Sequence, residues 1–139
     1  MFKTILHAND GSEGAFKALS YALNLARSSR IELHVVCVEE ISEFPETIGE
    51  VREETRSAEK RYRNVLKRAH EAAAKHQVKL RTHIVAGHPV LAIVNLAAEL
   101  GADLLVIGAT GHYAPHERMI GSRADRLVHL SPCPVLVVK

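Results

Sequence analysis

Apolar residues fall along this chain in short runs, and between the runs they recur at helical spacing. Phe2 to Ala8 is an apolar run of strand length, and Asp10-Gly11-Ser12-Glu13 after it is turn chemistry. Ala15, Leu19, Ala22, Leu23 and Ala26 then follow the helical period. Ile31 to Val38, rich in Val and Ile, predicts the second strand. Glu39 to Ile48, acidic and holding Pro45, predicts a surface loop. A long charged helix is expected from Gly49, with Val51, Thr55, Ala58, Tyr62, Val65, Ala69 and Ala72 as its buried stripe. Glu59 with Arg63 and Glu71 with Lys75 stand in the supportive i,i+4 order on a solvated outer face.

Val78 to Ala86 alternates in a way that suggests a strand with one wetter side. Pro89 fits the first turn of a third helix, which Leu91, Val94, Leu96, Ala97 and Leu100 carry to a stop at Gly101. Asp103 to Ile107 predicts the fourth strand, Ser122 to Leu130 the fourth helix and Val135 to Val138 the last strand. Asp10 with Glu13, and Ser122 with Asp125, have capping-box spacing. Strands alternating with helices imply a doubly wound α/β domain, a parallel sheet covered on both faces, over residues 1–139. Ligands of such sheets bind beyond the carboxyl ends of the strands, where the strand order reverses.

Composition narrows the function classes. A formal net charge of +2 is too small to suggest nucleic acid or an anionic membrane as a main partner. Three Phe and three Tyr lie scattered, without a stacking platform for single strands. The apolar N-terminal stretch is too short for a signal peptide, and no run approaches a membrane span. The two cysteines, Cys37 and Cys133, sit in apolar strand-like contexts and read as buried free thiols. A cytoplasmic protein is expected.

Chemistry concentrates late in the chain. Gly108-Ala-Thr-Gly111, nine further residues and then Gly121-Ser122 follow an apolar strand and precede a helix. A glycine-bearing loop leading into a helix start is a phosphate site: the backbone approaches the anion without a Cβ in the way, and the helix N-terminus adds partial positive charge. This spacing resembles the ATP-binding motif of the universal stress protein family. Ile5 to Glu13 resembles that family's first strand and Asp-bearing turn, Gly87-His88-Pro89 its Gly-x-Pro, Gly101 to Gly108 its fourth strand, and Ser131 to Val138 its closing strand. The resemblance covers the whole chain.

It implies a Rossmann-like, five-stranded parallel sheet of order 3-2-1-4-5, with the site between strands one and four. It implies ATP, with Mg²⁺ held through the phosphates, in a regulatory or sensor protein of the stress response. Ala8 and Val35 match positions that pack near the adenine, with the backbone of Ile107 beside them, and Asp10 matches one at the adenine and ribose end. Gly108 and Gly111 are expected beneath ribose and phosphates, and Gly121 and Ser122 at the terminal phosphates. A homodimer through the edge strand Val135 to Val138 and a protein partner of unknown identity complete what it implies.

Several readings stay open on the residues alone. Gly108 can be an ordinary strand-to-loop glycine, and Asp10 and Ser122 can be helix N-caps. Arg118 can reach a phosphate or sit solvated in its loop. Arg123 departs from the family's small or β-branched residue and either strengthens phosphate binding or crowds the pocket. His112 and His116, four apart beside Glu117, invite a metal, but Pro115 argues against the helix such a pair requires. No P-loop, dinucleotide fingerprint, nucleophile elbow or His-x-Gly-His motif occurs, and His34 and His129 read as packed or surface residues, so no dedicated base is visible. The alternatives to ATP binding are AMP or cyclic AMP, slow ATP hydrolysis or nucleotidyl transfer, and an interaction protein of the same fold that holds no nucleotide.

Overall fold

The computed structural model of the protein describes residues 1–40, 48–110 and 120–139, without the side chains of 48–55 and 58. Its elements are β1 (Ile5–Ala8), α1 (Glu13–Ser29), β2 (Leu33–Glu39), α2 (Ile48–Lys75), β3 (Leu80–Ala86), α3 (Pro89–Leu100), β4 (Leu104–Gly108), α4 (Ser122–Leu130) and β5 (Val135–Val138). The strands form one sheet of order β3-β2-β1-β4-β5. Every pairing is parallel, with Ile5 opposite both Leu33 and Leu104. This is the Rossmann-like architecture that the alternation and the resemblance imply.

Each central strand sends alternate residues to opposite faces, as the two-residue period requires. Ile5, Leu33, Val35, Val106 and Val138 pack with α1 and α2 on one face. Leu6, Val36, Leu105 and Ile107 pack with α3 and α4 on the other. The buried stripe of α1 is rich in small residues, Ala15, Ala18, Ala22 and Ala26. Its backbone therefore lies close to the sheet, which matters at the site below.

Side chains that compete for backbone groups account for several departures from the sequence pattern. The first strand begins at Ile5 rather than Phe2, because the Asp103 carboxylate accepts the Lys3 and Thr4 N–H groups at 2.8 and 3.0 Å. Those bonds also hold the Asp103 carboxyl below the usual carboxylate range. Asp10 does not cap α1. Its Oδ1 accepts the N–H of Ser12 at 3.0 Å, Gly11 turns the chain at φ +86°, and Ser12 becomes the cap, its Oγ accepting from Ala15 N at 3.2 Å. Glu13 pairs instead with Arg68 of α2 at 2.9 Å, whose guanidinium lies 3.8 Å above the Phe16 ring.

The capping box expected at Ser122 and Asp125 does not form either. Gly121 is the N-cap, Ser122 is the first helical residue, and Asp125 lies 3.5 Å from His129 one turn on. In α3 the buried face is Val90, Ile93, Leu96 and Ala97, which pack against the sheet at helical spacing, while Leu91, one residue on from Val90, turns about 100° away and is half exposed. In α2, Tyr62, Val65, Ala69 and Ala73 are buried, so the stripe ends on Ala73 and not Ala72. Val51, Thr55 and Ala58 lie outside the described side chains. Cys37 is buried and Cys133 only partly so, and both are free thiols. Among the described residues no helix is long and apolar enough to cross a membrane.

Candidate functional site

A cavity of about 340 Å³ opens beyond the carboxyl ends of β1 and β4, where the strand order reverses. That volume lies within the range of small-molecule pockets. Ala8, Asn9 and Asp10 come from the end of β1, Val36, Val38 and Glu40 from β2 and the residue after it, and Ile107, Gly108, Ala109 and Thr110 from β4 and its exit. Pro89, Val90 and Ile93 of α3, Arg61 and Tyr62 of α2, and Gly121 to Ala124 at the head of α4 close it. Its floor is apolar and its rim carries the charges.

The structure brings Ala8, Asp10, Ile107, Gly108, Gly121, Ser122 and Arg123 to this one cavity. Val35 is not among them. It points to the α1 and α2 face and packs with Ile5 and Leu33, while its neighbours Val36 and Val38 line the cavity. Gly111 and Arg118, with His112, Pro115, His116 and Glu117, lie outside the described residues. The ends of their segment are tied together, since Gly121 N donates to Ala109 O at 2.7 Å.

The glycines differ in what the fold asks of them. A Cβ on Gly108 would stand 2.9 Å from the carbonyl carbon and oxygen of Gly14, in the first turn of α1. A Cβ on Gly14 would stand 2.5 Å from Thr110 O. The close seating of α1 on the β4 exit therefore accounts for both glycines without a ligand. Gly121 is different: a Cβ there would make an ordinary contact, 3.5 Å from Ala109 O, and its φ of −63° suits any residue. Packing does not require glycine at 121.

A buried polar chain holds the two sides of the crevice in register. His7 Nδ1 bonds the Val106 carbonyl at 3.0 Å, and its Nε2 lies 3.2 Å from Asn9 Nδ2. A carbonyl can only accept, so Nδ1 carries the proton and Nε2 accepts from the Asn9 amide. Asn9 Oδ1 then accepts the Gly11 N–H at 2.8 Å. Burial pulls the His7 pKa down to about 4, against the opposing effects of the Val106 bond and the Asp10 charge, so the ring is neutral near pH 7. The chain runs from β4 to the turn carrying Asp10. Sequence reasoning missed it, since a strand histidine and a turn asparagine carry no signal of meeting.

Residues from distant elements complete the rim. The Tyr62 hydroxyl donates to the Val38 carbonyl and accepts from Arg61 Nη2 at 2.7 Å, and burial pushes its pKa up. Arg123 Nη2 donates to Glu40 Oε1 as an ion pair. Cys37 is buried beside Tyr62, and burial with the Asp10 charge drives its thiol up to about 12, far from a reactive thiolate. Among the described residues no group of three or more His, Cys, Asp or Glu is placed to hold a metal ion.

Comparison with known proteins agrees with this architecture. Residues 1–139 match the universal stress protein family. The universal stress protein YxiE of Bacillus subtilis is 35% identical over 151 residues, covering 100% of both chains. Among solved structures, universal stress protein UspA from Lactobacillus plantarum has a TM-score of 0.87 at 26% identity, covering 99% of this chain and 97% of that one. A universal stress protein in complex with cAMP has a TM-score of 0.77 at 27% identity, over 99% and 97% of the two chains.

Proposed function

This chain belongs to the universal stress protein family, and from that premise we propose that it binds an adenine nucleotide, ATP with Mg²⁺ held through its phosphates, as a cytoplasmic sensor or regulator in the stress response. The observation that carries the reading is the head of α4. Gly121 caps that helix without a side chain, at a position where packing does not demand glycine, and Gly121 and Ser122 both face the cavity. The Gly121 N–H is held by Ala109 O, so the anion donors are the backbone N–H groups from Ser122 onward at the helix start, and the absent Cβ at 121 permits close approach. Ala8, Val36, Val38, Val90 and Ile93 supply an apolar floor suited to a purine ring.

The related structure with cAMP supports the adenine end of this assignment. It also keeps AMP and cyclic AMP as second readings, because a single phosphate would leave the Ser122 end of the cavity less used. Mg²⁺ needs few protein ligands when phosphates supply the rest, and it is in that way that the proposal holds it. A homodimer through β5 is part of the proposal. The strand ends the sheet, Val135, Leu136 and Val137 are only half-buried, and Val128 and Leu130 of α4, which packs on β5, are exposed.

Thermal unfolding with and without millimolar Mg-ATP, beside GTP, tests the reading. A ligand at 100 times its Kd stabilises by about 2.7 kcal/mol, which raises the midpoint of a domain this size by several degrees. A rise with ATP and none with GTP is expected. No rise with ATP, in protein checked to be free of carried nucleotide, favours an interaction protein of the same fold.

A further inference from the structure

The cavity rim holds its own counter-anion. Arg123 is the second residue of α4, next to the N–H groups that the nucleotide reading assigns to the terminal phosphates. Glu40 follows the last residue of β2 on the opposite wall, and the two side chains meet across the rim as an ion pair. A carboxylate and a phosphate oxygen are the same kind of acceptor for a guanidinium, so Glu40 and a phosphate compete for the Nη2 that Glu40 holds, and the Glu40 charge opposes an anion brought beside it. Among the described residues the other charges lining the cavity are Asp10 and Arg61. Asp10 and Glu40 offset Arg61 and Arg123, and Arg61 is engaged with the Tyr62 hydroxyl.

The pair has little structural work to do. Its side chains are 45% and 47% exposed, and exposed ion pairs contribute little to stability. Its position at the site, rather than its contribution to the fold, is what distinguishes it. We propose that Glu40 is an internal competitor for nucleotide phosphate at Arg123, and that it sets how strongly the cavity distinguishes adenine nucleotides by the number of their phosphates. This inference rests on the nucleotide reading above. It turns the open question about Arg123 into a definite one: Arg123 favours the phosphate chain, and Glu40 holds that preference down.

The test is calorimetric titration of ATP, AMP and adenosine into the full chain, as wild type, Glu40→Gln, Arg123→Gln and the double variant. Glu40→Gln is expected to tighten ATP about three- to fivefold and to leave adenosine unchanged. Arg123→Gln weakens ATP, and Glu40→Gln added to it gives no further gain. Ligand-free melting curves confirm that all four chains fold. An unchanged ATP-to-adenosine ratio in Glu40→Gln overturns the inference while leaving nucleotide binding intact. An equal gain in the Arg123→Gln background also overturns it. Failure of wild type to bind any of the three ligands overturns the nucleotide reading itself, and this inference with it.

Discussion

Gly108 and Gly121 frame the same cavity, yet alanine is expected to destabilise the chain at 108 and to leave it nearly unchanged at 121. At 108 the new Cβ lies 2.9 Å from two backbone atoms of Gly14, and backbone cannot rotate aside as a flexible side chain would. Overpacking of that kind costs about 1–3 kcal/mol. Loss of unfolded-state freedom on going from Gly to Ala returns about 0.4–1 kcal/mol. The net expectation for Gly108→Ala is roughly 1–2 kcal/mol of destabilisation. At 121 the new Cβ lies 3.5 Å from Ala109 O and no positive φ is involved. Replacing a glycine N-cap by alanine costs about 0.5–1 kcal/mol, which the same unfolded-state term offsets, leaving a change near zero. Urea unfolding of the ligand-free chains separates the two cases. With a slope of about 1–3 kcal/mol per molar, Gly108→Ala should lower the midpoint by roughly 0.5–1 M and Gly121→Ala by little. Equal midpoints for the two variants would refute the packing account of Gly108, and with it the contrast that singles out Gly121.

An unfolded histidine titrates near 6.5 and folded His7 at about 4, so the unfolded chain binds the extra proton between those values. The His7 contribution is therefore fully present above about pH 6.5 and falls away as the pH drops toward 4, by up to about 1.4 kcal/mol per pH unit. Urea unfolding across that window should be steeper in pH for wild type than for His7→Gln; parallel curves would contradict the neutral buried ring. Wild type is expected to be a dimer by light scattering and Val137→Lys, on the edge strand, a folded monomer; a monomeric wild type would refute the proposed β5 dimer. A dimer that survives the substitution would place the contact elsewhere.

Much of this fold was legible because its signals are local and repeated. Apolar runs of strand length, helical spacing between them, Pro89 at a helix start and Gly101 at a helix stop each act within a few residues, and the order of elements follows. What escaped depends on competition or on distance. Asp10 and Ser12 are both good caps; the Asp10 carboxylate is taken by the Ser12 N–H in the turn at Gly11, and Ser12 caps the helix. Val35 and Val36 are chemically alike, and the pleat sends one to the core and the other to the cavity, so assigning the strand correctly does not choose between them. Glu40, Arg61 and Tyr62 reach the rim from elements far from the glycine motif. No local pattern marks them, and the His7 to Asn9 chain is visible only once β1 lies beside β4.

One adenine nucleotide is proposed to bind at the head of α4. Calorimetric titration of Mg-ATP into wild type and Gly121→Val addresses it directly, with ligand-free melting curves showing that the variant folds. Saturable binding of one ATP per chain is expected in wild type, and its loss in the folded variant. Undiminished binding by Gly121→Val, or none by nucleotide-free wild type, would contradict it.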